Sequence, residues 1–187
     1  MTAQLPFELT QGQHEVLDVI SSELTATRPM NRMLQGEVGS GKTIVSVLAM
    51  LQMIDAGHQC ALLAPTEVLA AQHAQSIRAM LGPLGMAGQL GGADNATRVA
   101  LLTGSMSVQQ KREVRDEVAS GEAGIVIGTH ALLQEAVEFH RLGMVVAVAR
   151  GAVAHVRAAA PRFGRAAARS SHDALPPRGV PRGAGAA

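Results

Sequence analysis

Eight consecutive residues carry the clearest chemical signal in this chain: Gly36-Glu37-Val38-Gly39-Ser40-Gly41-Lys42-Thr43. A glycine, four residues, then glycine, lysine and a hydroxyl residue make the full pattern of a loop that wraps a phosphate chain. Glycines let successive backbone N–H groups turn inward around phosphate oxygens. A helix starting near Lys42 would aim its positive dipole end at the same anion. Lys42 is one of only two lysines in the chain. It would reach the β- and γ-phosphates, and the Thr43 hydroxyl would ligate Mg2+. The plainer alternative, a glycine turn that merely joins strand to helix, is disfavoured by the completeness of the pattern. Selecting adenine would take a further group. Gln13 can offer a donor and an acceptor to the N6/N7 edge of adenine, as amides do. Thr10 and Gln13 also have capping-box spacing, and periodicity by itself favours the cap.

These residues need elements to position them. Val16, Leu17, Ile20 and Leu24 recur at helical intervals, so the spacing predicts an amphipathic helix over residues 11–25. Arg28-Pro29 ends that region. Residues 31–35 read as a short strand running into the glycine-rich loop, and Lys42 to Ala56 as an apolar helix closed by Gly57. Gln59 to Ala64 is a continuous apolar strand of the buried parallel type. A helix capped by Thr66 follows, from Glu67 to Leu81. Residues 82–97 are loop. Val99–Leu102, Ile125–Ile127 and Leu142–Val148 read as three more strands, and Ser107 to Ala119 as a charged helix ended by Gly121. Strands alternating with helices predict an α/β fold: a phosphate-loop NTPase domain with a parallel sheet flanked by helices and right-handed crossovers.

Composition narrows the function classes. The 187 residues are 47% apolar and 17% charged, enough for an ordinary core. No apolar run reaches the ~18–20 residues of a membrane-spanning helix, so no membrane partner is expected. The N-terminus lacks a secretory pattern and the single cysteine, Cys60, cannot form an internal disulfide; together these predict a cytoplasmic protein. With no Trp, no Tyr and three Phe, a surface that stacks bases on several aromatics is not expected. The histidines, His73 and His130 among them, show no metal-ligand spacing and read as structural or solvated. Charge is uneven. Residues 1–146 hold nine Lys/Arg against fourteen Asp/Glu, whereas residues 147–187 hold seven Arg against one Asp. In that last stretch 30 of 41 residues are Ala, Arg, Gly or Pro. Such a segment buries little apolar area, so residues 147–187 are expected to be a disordered tail behind a domain of residues 1–146. It reads either as a basic arm that attracts nucleic-acid phosphates or as a GC-rich gene translated out of frame.

Several segments together resemble one family. Leu5-Pro6-Phe7-Glu8-Leu9-Thr10 with Gln13, then Pro29-Met30, then Leu34-Gln35 leading into the glycine-rich loop, are similar to RecG, an ATP-dependent DNA helicase family of superfamily two that remodels stalled replication forks. Ala64-Pro65-Thr66-Glu67-Val68-Leu69-Ala70-Ala71-Gln72-His73 resembles its motif Ia, and Leu102-Thr103-Gly104-Ser105 its motif Ib. Gly128-Thr129-His130-Ala131-Leu132-Leu133-Gln134 resembles the threonine-histidine motif that follows. The transcription-repair coupling factor shares parts of these motifs but fits motif Ia less well. The resemblance spans about residues 5–146. It implies ATP and Mg2+ as ligands and DNA, branched or single-stranded, as partner. It also implies that Phe7 and Gln13 recognise adenine, and that Thr66, Thr103 and Thr129, near helix N-termini, hold the DNA backbone without reading sequence. For each threonine taken alone, a helix cap or turn residue is the better reading; only their joint match favours DNA.

The resemblance breaks after Leu142-Gly143-Met144-Val145-Val146. The family continues into an Asp-Glu-x-His box; here Ala147-Val148-Ala149-Arg150 follows, and no carboxylate stands between Glu138 and Asp173. The break coincides with the change in composition, which favours a frameshifted or truncated helicase gene over an evolved basic arm. The resemblance assigns the missing Asp to holding Mg2+ through its waters and the missing Glu to orienting the attacking water. No intact catalytic residue is therefore expected. Three outcomes stay open: an incomplete motor domain, a non-hydrolysing module that binds ATP and DNA backbone with a basic tail, or a non-functional fragment.

Overall fold

The computed structural model describes residues 8–26, 28–37, 39–86, 96–129, 132, 137–148 and 153–158. Helix α1 (Gln11–Leu24) opens on a complete capping box, with Thr10 accepting from the Gln13 N–H and Gln13 accepting from the Thr10 N–H. Leu17 and Ile20 face the core, whereas Val16 turns to solvent and does not join the stripe its spacing suggested. Strand β1 (Met30–Gln35) leads into the phosphate-loop sequence, and α2 (Lys42–Asp55) leaves it. Seven apolar residues of α2 are buried on nearly all sides, because the sheet covers one face and α1 another. The chain continues through β2 (Gln59–Leu63), α3 (Glu67–Leu81), a 3-10 turn at Gly82–Gly85, β3 (Arg98–Leu102), α4 (Val108–Ser120), β4 (Ala123–Gly128) and β5 (Leu142–Val148). Gly121, at φ 86°, ends α4 in the left-handed conformation that glycine adopts without strain.

The strands form one six-stranded sheet in the order β1-β6-β5-β2-β4-β3. Pairings β2–β4, β2–β5 and β3–β4 are parallel, as continuous apolar strands between helices should be. Alternate residues feed two cores. Cys60, Leu62, Ile125 and Ile127 pack with α1, α2 and α3. Ala61, Leu63, Val126 and Leu102 pack on the other face with Val118 of α4. The result is a three-layer α/β domain. Burial pushes the Cys60 thiol well up, so it is an inert core residue.

One element corrects the sequence expectation. Residues 153–158 lie in the stretch expected to be disordered, yet Val153–Ala158 forms strand β6. It runs antiparallel between β1 and β5, with Leu34 opposite Ala154 on one side and Val146 opposite Val156 on the other. The reason is local pattern. Bulk composition of the stretch is poor in apolar residues, but Val156 and Ala158 fall on one face at period two and are buried, while Arg157 stays exposed. Small side chains suffice in a slot flanked by strands on both sides. Among the described residues β1 pairs with no strand except β6, so β6 ties the phosphate-loop strand to the rest of the sheet.

Candidate nucleotide-binding site and nucleic-acid face

Because β1, β5, β2, β4 and β3 all point the same way, their carboxyl ends share one edge of the sheet. In open α/β sheets that edge is where ligands bind. The sequence places its candidate residues there. Gly36 follows β1, Thr66 follows β2 closely, Thr103 follows β3 and Thr129 follows β4.

The glycine-rich loop is shaped by positions that favour glycine, by backbone conformation or by close neighbours. Gly39 and Gly41 have φ of 89° and 80°. A Cβ on Gly41 would stand 2.1 Å from Gln13 Nε2, and one on Gly36 2.9 Å from Ser40 Oγ. Lys42 Nζ lies inside the loop, donating to the Gly36 carbonyl at 2.9 Å, the Glu37 carbonyl at 2.5 Å and Ser40 Oγ at 3.1 Å. A cation wrapped by its own loop is a cradle whose carbonyls and hydroxyl a phosphate oxygen can replace. Gly41 is the N-cap of α2 and no side chain caps that helix, which leaves its first N–H groups for an anion. Thr43, partly buried in the first turn of α2, is placed to offer its hydroxyl. Phe7 and Val38 lie outside the described residues.

Gln13 does more than cap. Its Oε1 accepts from the Thr10 N–H at 2.9 Å while its Nε2 donates to the Ser40 carbonyl at 3.1 Å. One amide thus joins the start of α1 to the phosphate loop. A cavity of about 550 Å³ opens beside it, lined by Thr10, Gln13, Val16, Met33, Gly36 and Lys42 among others. That volume lies within the range of small-molecule sites.

On the other half of the edge, Thr66 is the N-cap of α3, accepting from the Leu69 N–H at 3.3 Å. Thr103 lies four residues before the cap of α4. The cap of α4 is Ser107, and Thr103 is a buried turn residue whose hydroxyl lies 3.2 Å from Ser105 Oγ. The Thr129 carbonyl accepts from the Leu132 N–H at 2.9 Å; His130 and most of the segment after it lie outside the described residues. Glu67 was quoted only as part of a motif, yet its carboxylate reaches the turn after β3, with Oε1 2.7 Å from where a Cβ on Gly104 would stand. The Ser105 hydroxyl chiefly, with the N–H groups of Gly104 and Ser105 and the charge of Lys111, holds it below the usual carboxylate range. Only its place directly after a cap was readable, because its partners belong to a distant loop. His73 and His58 are held below the usual imidazole range, chiefly by burial, which leaves both neutral at pH 7. No group of three or more His, Cys, Asp or Glu with metal-holding geometry occurs among the described residues. At the carboxyl end of β5 stand Ala147 and Val148, neither of which can bind a cation or activate water.

Comparison with known proteins places this geometry. The model of the DEAD/DEAH box helicase family matches residues 10–147. The chain is similar to the ATP-dependent DNA helicase RecG of Mycobacterium tuberculosis, 78% identical over 143 residues that cover 76% of this chain and 19% of that protein. RecG of Streptococcus pneumoniae is 46% identical over 142 residues, again 76% of this chain and 19% of the relative. Among solved structures, RecG bound to a three-way DNA junction superposes with a TM-score of 0.66 at 38% identity, covering 77% of this chain and 18% of that one. The UvsW helicase of bacteriophage T4, at 19% identity and a TM-score of 0.51, shares the fold. The chain thus matches about a fifth of the length of its curated relatives.

Proposed function

We propose that this chain, which belongs to the DEAD/DEAH box helicase family over residues 10–147, is a RecG-like motor domain that binds ATP and DNA backbone but does not sustain hydrolysis. ATP would lie with its phosphates in Gly36, Glu37, Val38, Gly39, Ser40 and Gly41, facing Lys42. The adenine would sit in the cavity beside Gln13, with Phe7 as a further contact, and Gln13 would exchange its Ser40 bond for the base edge. The donor set fits a nucleotide–metal pair in part: Thr43 would offer its hydroxyl to Mg2+, which would supply positive charge against the phosphates. Thr66, Thr103 and Thr129 would meet the backbone of a branched or single-stranded DNA from adjacent strand ends.

The observation that carries the non-hydrolysing half is the end of β5. Ala147 and Val148 stand where a motor of this family needs carboxylates, and no carboxylate follows before Asp173. Without them no residue holds the attacking water, so binding and turnover separate. Titrating the full chain with a fluorescent ATP analogue should show saturable binding that Lys42→Ala weakens at least about 10-fold, the scale of one charge-assisted phosphate contact. Phosphate release with and without single-stranded DNA should stay at the level of buffer. DNA-stimulated steady turnover that Lys42→Ala abolishes would overturn this reading. Failure to bind the analogue at all would overturn the nucleotide site itself.

A further inference from the structure

Glu67 begins α3, directly after the Thr66 cap, but its carboxylate reaches to another loop. Its Oε1 lies against the backbone at Gly104, and the neighbouring Ser105 hydroxyl, with the Gly104 and Ser105 N–H groups, lowers its carboxyl below the usual range. Its Oε1 lies 2.7 Å from the place a Cβ on Gly104 would occupy, so the approach requires glycine there. The turn's own hydrogen bonds are long: Thr103 N–H to the Met106 sulfur at 3.4 Å, Met106 N–H to the Thr103 carbonyl at 3.4 Å, and 3.2 Å between the Thr103 and Ser105 hydroxyls; Gly104 and Ser105 are exposed. The sheet does not couple this turn to Thr66 either. Strand β4 lies between β2 and β3, which sets the two strand ends roughly 10 Å apart.

We propose that Glu67 is a positioning residue that locks the Thr103-Gly104-Ser105 turn to the start of α3, so that Thr66 and Thr103 meet one nucleic-acid backbone as a single surface. This rests on the reading of that face as a DNA-backbone surface. Its sign separates it from simple electrostatics. A carboxylate near a phosphate-binding face repels DNA, so neutralising it should tighten binding if charge were its only effect. A lock predicts the opposite. Gln at 67 keeps the size but turns an NH2 group toward a cluster of donors, and the turn comes loose.

The test uses the full chain and a labelled oligothymidine single strand, followed by fluorescence anisotropy. Glu67→Gln is expected to weaken binding about 5-fold, within the coupling range of contacting residues. Gly104→Ala, whose new Cβ strikes the carboxylate, should do the same, and the double variant should be no worse than either single one. Affinity for the ATP analogue and the thermal midpoint should hold, since neither residue touches the phosphate loop. Thr66→Ala and Thr103→Val control for the face itself. If those weaken binding while Glu67→Gln leaves it unchanged or tighter, the lock is overturned and the DNA face stands. If neither threonine variant changes binding, the DNA face is overturned and the lock with it. Hydrogen exchange supplies an arm free of DNA. The amides of residues 103–106 should exchange faster in Glu67→Gln, and unchanged exchange overturns the lock whatever the binding data give.

Discussion

Gln59 shows what a single buried polar side chain does in this fold. It is 3% exposed, and its Nε2 donates to the Val118 carbonyl at 2.9 Å and the Ala123 carbonyl at 2.8 Å. Its Oε1 accepts from the Arg141 N–H at 3.0 Å, and its own N–H donates to the Arg141 carbonyl at 2.8 Å. One amide therefore pins the end of α4, the start of β4 and the approach to β5. Gln59→Leu should cost about 2–4 kcal/mol, because it strands buried acceptors rather than replacing both sides of each bond. Gln59→Glu should cost more at neutral pH, since a carboxylate would face two carbonyl oxygens. Urea unfolding with the midpoint shifted and the slope unchanged is the readout. The residue scale also marks how far local pattern reaches. The phosphate loop is legible because its chemistry is contiguous in sequence: glycines, lysine and hydroxyl sit within eight positions. Gln59 reads only as the start of an apolar strand, and Glu67 only as an acid after a cap. Their partners are brought near by β-sheet pairing and crossovers, which no local spacing encodes.

Elements repeat that lesson with a different cause. The helices and the first five strands are legible because each carries its own period and its own stop, such as the Thr66 cap or Gly121. Strand β6 is not, because its signal is two small buried residues inside a stretch whose overall composition argues against order. Its position makes it a strong test. Val156 is fully buried between Arg32 of β1 and Val146 of β5 in register, and β1 has no other strand partner among the described residues. Val156→Asp should cost upwards of about 3 kcal/mol, as an unpaired charge in a buried site does. It should also free β1 before the rest of the sheet. Hydrogen exchange should show residues 30–35 losing protection while β2 and β4 keep theirs, and affinity for the ATP analogue should fall because β1 carries the phosphate loop. Uniform loss of protection across the sheet would instead mean that β6 is part of one cooperative unit with β2 and β4.

For the whole molecule, β6 carries the described sheet past residue 147 to Ala158, and with it moves the test of the C-terminal charge. Composition puts the boundary near residue 147, yet a cut there removes a strand and confounds loss of arginines with loss of the fold. The informative cut follows Ala158. It keeps all six strands and removes residues 159–187, which hold five arginines and one aspartate. Residues 1–146 are net negative by five, a poor surface for DNA on long-range electrostatics alone. If the chain binds DNA, the arginines would supply the main counterion-releasing charge, and each phosphate they neutralised would add about 0.7 to the salt slope for a single strand. The chain ending at Ala158 should keep its thermal midpoint and its affinity for the ATP analogue, and should bind single-stranded DNA with a visibly shallower slope of log K against log salt. A chain ending at Val148 should lose protection at residues 30–35 and melt well below the full chain. If the Ala158 cut leaves the slope unchanged, the arginines make no phosphate contacts. Affinity for DNA then rests on the threonine face, where uncharged contacts carry little salt dependence.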